Sequence, residues 1–196
     1  MNSTLGEVRD DIARVTPTVL VGPSGVGKGT VLAAVCAQHS LVWVSVSVTT
    51  RAARPGEEEG RNYFFISDSD FDQLVADDGL LEWASYATAR YGTPRAPAER
   101  AIADGRAVVF EVEVQGARQI RDRLDPVRTV FLAPPSWEDL ERRLRGRGTE
   151  SEEVLARRLA TARRELLTID EWDHVIVNTE VVSAASQLVD LIGLGR

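Results

Sequence analysis

The segment Gly22-Pro23-Ser24-Gly25-Val26-Gly27-Lys28-Gly29-Thr30 decides the fold. It follows the apolar run Val19-Leu20-Val21 and precedes apolar residues at helical spacing, Val31, Leu32 and Val35. Glycines in the pattern G-x-x-x-x-G-K let successive backbone N–H groups converge on phosphate oxygens, and Lys28 adds a reaching cation. A helix that starts at the lysine turns its positive end toward the same anion. A strand before and a helix after are the context this pattern requires, so we read the segment as a nucleotide phosphate loop. One position departs from the usual form. Gly29 stands where a serine or threonine ordinarily meets magnesium, and Thr30 follows one place later.

Outward from this loop, strand-like runs alternate with helical patterns. Strands are predicted over Thr18–Val21, Leu41–Val46, Ala107–Val112, Thr129–Leu132 and His174–Val177. Helices are predicted over Lys28–Gln38, Ala98–Asp104, Gln115–Arg123, Trp137–Leu144, Glu152–Leu167 and Val182–Leu191. Such alternation predicts an α/β fold, a parallel sheet flanked by helices, with ligands at the carboxyl ends of the strands. Residues 47–93 are too long for one crossover and read as an inserted lobe, with an extended piece at Tyr63–Ile66 and a helix near Ser69–Ala76. That leaves a core of 1–46 and 94–196. Within it, the arginine-rich stretch 137–167 is expected to be a lid, with Gly146-Arg147-Gly148-Thr149 as its mobile tip.

Composition bounds the rest. At 196 residues, 43% hydrophobic and 27% charged, the chain is ordinary globular material. A net charge of −7 argues against an extended nucleic-acid surface. No apolar stretch approaches the ~18 residues of a membrane span, and Met1 to Val15 reads as a polar leader or first helix, not a secretory signal. The lone Cys36 cannot form an internal disulfide and reads as a small buried hydrophobe in a cytoplasmic protein. His39 and His174 sit at element edges as ordinary polar residues. Arg142, Arg143, Arg145, Arg147, Arg157, Arg158, Arg163 and Arg164 crowd into one region. In an acidic chain with a phosphate loop, some of them are expected to meet the nucleotide.

The lobe opens with Ser47-Val48-Thr49-Thr50-Arg51-Ala52-Ala53-Arg54-Pro55-Gly56-Glu57, followed by Gly60-Arg61-Asn62-Tyr63-Phe64-Phe65. Leu81-Glu82-Trp83-Ala84, Tyr91-Gly92-Thr93, Phe131-Leu132-Ala133-Pro134-Pro135-Ser136, Gly146-Arg147-Gly148-Thr149-Glu150 and Val175-Ile176-Val177-Asn178 come later in order. Taken together, these stretches resemble the guanylate kinases, which convert GMP and ATP to GDP and ADP. The resemblance runs from the phosphate loop to Asn178.

A monophosphate dianion favours arginine forks and hydroxyl donors. Arg51, Arg54, Tyr63 and Tyr91 supply them, and the resemblance implies that they hold the GMP phosphate. It also implies that Glu82 accepts from guanine N1–H and the exocyclic amine, and that Ser47 and Thr93 donate to O6. A site built on such hydrogen bonds can reject adenine by about 10⁴-fold or more.

Ala107 to Glu113 reads as a buried strand ending in acids, with Glu111 and Glu113 on one face. Glu111 is expected near metal-bound waters and Glu113 near the guanosine; the family usually carries aspartate here. The resemblance further implies Arg143 and Arg158 on the phosphates, and Arg147 and Asn178 near the ATP adenine. Magnesium is expected with ATP, held through water near Glu111 and Thr30. ATP and GMP are the expected partners, for a monomer or homodimer with no nucleic-acid polymer and no membrane. Two alternatives stay open: a catalytically silent guanylate-kinase-like binding module, and a specialised kinase for a modified guanine nucleotide. A GTPase is disfavoured because no N-K-x-D-like segment occurs.

Overall fold

The computed structural model describes residues 15–86, 88–146 and 151–195. Five strands form a wholly parallel sheet: β1 (Thr18–Val21), β2 (Val42–Val44), β7 (Ala107–Glu111), β8 (Arg128–Ala133) and β9 (His174–Val177). Their order is β2-β7-β1-β8-β9, so β1 lies between strands reached from opposite directions. That reversal opens a crevice at the carboxyl end of β1, where the phosphate loop begins.

Strict alternation along the central strands divides the core into two layers. Leu20, Val109, Val130, Leu132 and Ile176 face α1 (Lys28–Gln38), α5 (Trp137–Arg145), α6 (Glu152–Leu166) and α7 (Val181–Leu191). Val19, Val21, Val108, Phe110 and Phe131 face α3 (Arg95–Ala103) and α4 (Val114–Arg123). Both faces of β1, β7 and β8 are covered, which is why these strands read as continuous apolar runs, whereas the edge strand β9 buries only Ile176. Thr129 ties the two right-hand strands at their start: its N–H and hydroxyl each donate to Asp173 at 2.8 Å.

A second sheet is built from β3 (Val48–Thr49), β4 (Phe64–Phe65), β5 (Leu80–Tyr86) and β6 (Ala89–Pro94), in the order β4-β3-β6-β5. The helix α2 (Asp68–Ala76) covers it, with Phe71 and Leu80 fully buried and Trp83 edge-on to Phe71 at 6.2 Å. Ser67 caps α2 by accepting from the Asp70 N–H. Arg90 fastens the helix to β6: its guanidinium bonds Asp68 and Asp72 and lies 4.6 Å over the Phe71 ring.

The local expectations hold closely for β1, β9 and α1, whose limits are those read from the sequence. β2 is shorter than expected, and α3 starts at Arg95, three residues before the expected Ala98, because Pro94 serves as its cap and Arg95 is anchored to Asp78 at 2.9 Å. Cys36 is exposed, correcting its reading as buried. Val31, Leu32 and Val35 define the inner face of α1, and residue 36 falls one step round the helix from it. Among the described residues, no helix is long and apolar enough to cross a membrane.

Candidate active site

β1 ends at Val21 and α1 begins at Lys28, so the loop 22–27 turns over the end of the sheet. Gly27 has φ 101°, a left-handed conformation that side chains rarely adopt. A Cβ on Gly22 would stand 2.3 Å from the Leu132 carbonyl oxygen, so only glycine lets the loop lie against β8. Pro23 is buried and its carbonyl accepts from the Val26 N–H at 3.1 Å. The first intrahelical bond runs from the Val31 N–H to the Gly27 carbonyl, leaving the amides of Lys28, Gly29 and Thr30 as donors at an exposed helix start. Gly25 completes the turn, also at positive φ (85°).

Four distant side chains hold this loop. Asn178, buried, donates from Nδ2 to the Val26 carbonyl at 2.8 Å. Arg143 donates to the same carbonyl and to the Asn178 carbonyl, each at 3.1 Å. Arg158 donates to the Ser24 hydroxyl at 2.9 Å, and the Ser24 N–H donates to Glu165 at 3.4 Å. The residues expected around ATP are therefore gathered at the loop, with Asn178 and Arg143 engaged by its backbone. Arg147 lies outside the described residues.

The Lys28 ammonium donates to the Gly22 carbonyl at 2.6 Å. Burial holds its pKa below the usual lysine value, while Glu111, Glu165 and Glu113 pull it back up. Burial raises the Glu111 carboxyl against the opposing pull of Lys28. β7 ends at Glu111, and Glu113 caps α4, which corrects the reading of both acids on one strand. A Cβ added to Gly29 would meet the two Glu111 oxygens at 3.7 and 3.8 Å, so this carboxylate stands over the first turn of α1. Among the described residues no three acids, histidines or cysteines converge as a metal site, so a magnesium ion would be held chiefly by phosphate oxygens and water beside Glu111.

Across the crevice, Arg51, Tyr63 and Tyr91 come together. The Arg51 guanidinium lies 5.0 Å over the Tyr63 ring, and Tyr63 meets Tyr91 edge-on at 5.9 Å. Both terminal nitrogens of Arg51 bond Glu57 at 2.7 Å, while its Nε is buried without an acceptor among the described residues. Arg51 pulls the Glu57 carboxyl down to about 2. Burial raises the Tyr63 phenol. Arg51 is thus held against the phenols by Glu57, with one buried donor left unused. Arg54 contributes its N–H to Glu57 at 2.8 Å, and its side chain is exposed.

Beside this cluster, Glu82 and Thr93 are directly paired across β5 and β6. Glu82 is only 7% exposed, and Thr93 donates to its Oε1 at 2.7 Å. Burial raises the Glu82 carboxyl, with the Thr93 bond opposing and Glu113 adding repulsion. Glu113 thus acts on both Lys28 and Glu82. Ser47 is half-buried before β3, where its carbonyl accepts from the Phe64 N–H at 2.9 Å.

Two residues escaped the sequence reading. Glu57 was visible only as part of a motif; the Arg51-x5-Glu57 spacing across a Pro-Gly turn is the signal that it could pair. Glu165 follows two arginines in α6 and carries no signal of its own, yet it is 8% exposed and bonds a residue 141 positions away. No local pattern encodes that.

A phosphate loop facing an arginine–tyrosine cluster beside a buried carboxylate–hydroxyl pair defines a P-loop kinase that brings two phosphorylated ligands together. Comparison with known proteins narrows this class. The sequence model described as Guanylate kinase matches residues 14–193. The guanylate kinase of Parasynechococcus marenigrum is 53% identical over 180 residues, 92% of this chain and 99% of that one. That of Thermobifida fusca is 54% identical over 175 residues, 89% of each chain. The crystal structure of guanylate kinase from Anaplasma phagocytophilum superposes with a TM-score of 0.71 at 30% identity, covering 90% of this chain and 84% of that one. The chain belongs to the guanylate kinase family.

Proposed function

We infer that the chain transfers the γ-phosphoryl group of ATP to the phosphate of GMP, forming ADP and GDP, and accepts dGMP as well. The observation that carries this reading is geometric: Glu111, at the end of β7, stands over Gly29 of the phosphate loop, and Gly116, five residues on, lies against the Glu82 carboxylate. The donor loop and the base-reading pair are therefore near neighbours, as direct transfer between two nucleotides demands.

The chemistry follows from the residues. An oxygen of the GMP phosphate attacks the γ-phosphorus, and the bond from that phosphorus to the β,γ-bridging oxygen breaks. No general base is required, because the acceptor oxygen is already anionic. The loop amides and Lys28 hold the donor phosphates, with Thr30 on a phosphate oxygen and Gly29 leaving space beneath Glu111. Magnesium, when bound through water near Glu111 and Thr30, neutralises charge on the phosphates. Arg51, Arg54, Tyr63 and Tyr91 hold the acceptor phosphate; the unused Nε of Arg51 supports this. Glu82 accepts from guanine N1–H and the amine, and Thr93 and Ser47 serve O6, with Glu113 toward the ribose.

In this reading residues 47–93 close on the core and 137–167 act as the lid. Arg143 and Arg158, now on the loop, turn to the transferring phosphoryl group, and Arg147 joins Asn178 near the adenine. Exclusion of water then suppresses ATP hydrolysis. A cytoplasmic monomer or homodimer suits the single exposed thiol. The deciding experiment is ADP release with GMP, dGMP, AMP, CMP and UMP. Turnover confined to GMP and dGMP is expected; equal turnover with AMP would refute the assignment.

A further inference from the structure

Gly116 is the third residue of α4, in its first turn, where glycine is still a poorer helix former than alanine. It is buried, and its φ requires no glycine. What distinguishes the position is its neighbour. A Cβ at residue 116 would stand 2.7 Å from Glu82 Oε2 and 3.0 Å from its Cδ. The Glu82 carboxylate occupies the space where any other residue would put its side chain.

The surrounding bonds decide what would yield to a methyl group. Gln119, on the same side of α4, accepts from the Trp83 N–H at 3.2 Å and donates to the Trp83 carbonyl at 2.9 Å. This two-point clamp fixes the main chain next to Glu82, and Ala117 and Ile120 anchor the helix in the core with no exposed surface. Helix and strand cannot part without breaking both bonds. The flexible end of Glu82 is the part that can yield, and a shift there strains its 2.7 Å bond from Thr93.

We propose that Gly116 is a positioning residue for base recognition: the missing side chain lets the Glu82 carboxylate stand against α4, with its Thr93 bond intact, facing the N1–H and exocyclic amine of the acceptor purine. The proposal rests on the reading of Glu82 as the guanine acceptor. It accounts for a glycine whose only local effect is to weaken its helix.

The test compares GMP with IMP, which keeps N1–H and O6 but lacks the exocyclic amine, in the full-length wild type, Gly116→Ala, Glu82→Gln and the double variant. Gly116→Ala is expected to lower kcat/KM for GMP at least about tenfold, mostly through KM, and to reduce the preference for GMP over IMP. Its KM for ATP should stay within about twofold of wild type, because the atoms a side chain at 116 would meet belong to Glu82. Its Tm should fall by a few degrees at most, because the buried bond from Thr93 is weakened while the Gln119 clamp holds. In the Glu82→Gln background the same substitution should cost little more, because the group it displaces has already lost its role.

If Glu82→Gln leaves the GMP preference intact, the reading of Glu82 falls and takes the proposal with it. If Glu82→Gln abolishes the preference while Gly116→Ala keeps it within about twofold, the proposal alone is overturned. Additive losses in the double variant would also overturn it, because the helix–strand packing rather than the carboxylate would then have yielded.

Discussion

Glutamine at position 82 keeps the shape of the side chain and removes its charge. Glu82 is 7% exposed, and its Oε1 already accepts from Thr93 at 2.7 Å, so a glutamine carbonyl can keep that bond. The amide nitrogen then takes the place of the second oxygen and points a donor at a guanine donor. Loss of one hydrogen bond to a charged group costs about 1.5–3 kcal/mol, or roughly 10–150-fold in kcat/KM for GMP. The effect on stability has the opposite sign. Burial raises the Glu82 pKa in the fold, so the stability linked to this group is present below its unfolded pKa and lost as pH rises through the folded one. Near neutral pH, glutamine has no such loss, and Glu82→Gln should be at least as stable as wild type. Coupled ADP-release kinetics and thermal melts on the same preparations measure both. A kcat/KM for GMP within twofold of wild type would refute the guanine assignment; a clearly lower melting point would refute the account of the buried charge.

The raised Glu82 carboxyl also sets a pH profile. The acid limb of kcat/KM for GMP should carry a Glu82 contribution above the ordinary glutamate value of 4.5, and Glu82→Gln should remove it, leaving the limb of the GMP phosphate alone; a limb identical in the two proteins would contradict it. Asn178→Ala removes the 2.8 Å bond to the Val26 carbonyl and should cost about 1–3 kcal/mol in urea unfolding while raising KM for ATP. An unchanged midpoint would mean that Arg143 alone suffices to hold the loop. At the departed loop position, Gly29→Ser should only modestly shift the magnesium dependence of ADP formation, because its Cβ has ordinary contact room at 3.7 Å from Glu111, whereas Thr30→Ala should lose most turnover. A wild type that is inactive at all magnesium concentrations and rescued by Gly29→Ser would overturn the reading of an active enzyme.

The local elements were legible because spacing within a few residues dictates them. Continuous apolar runs marked β1 and β8 as strands covered on both faces, and the G-x-x-x-x-G-K pattern located the turn between β1 and α1. The β5–β6 hairpin did not stand out as strands. Glu82 and Thr93 are buried in it while Ser85 and Tyr86 are exposed, so no alternation survives to signal a half-buried sheet. Cys36 was misplaced because Ala33, Ala34 and Ala37 blur the apolar face of α1, and only its docking against α7 chooses the buried side.

By itself the sequence determined that a parallel α/β sheet carries a phosphate loop, and the resemblance supplied the residues to watch on the acceptor side. Only the tertiary structure decided how those residues are used. It brought Glu165 to Ser24 across 141 positions and Asn178 to Val26 across 152, turned Arg51 onto Glu57, and set Gly116 against the Glu82 carboxylate. The division has a physical cause. Periodicity and turn chemistry act over a few residues and are written locally. The partner of a buried charge is chosen when separate elements pack, because each such group must then be satisfied by whatever distant side chain or backbone the sheet and helices bring within reach.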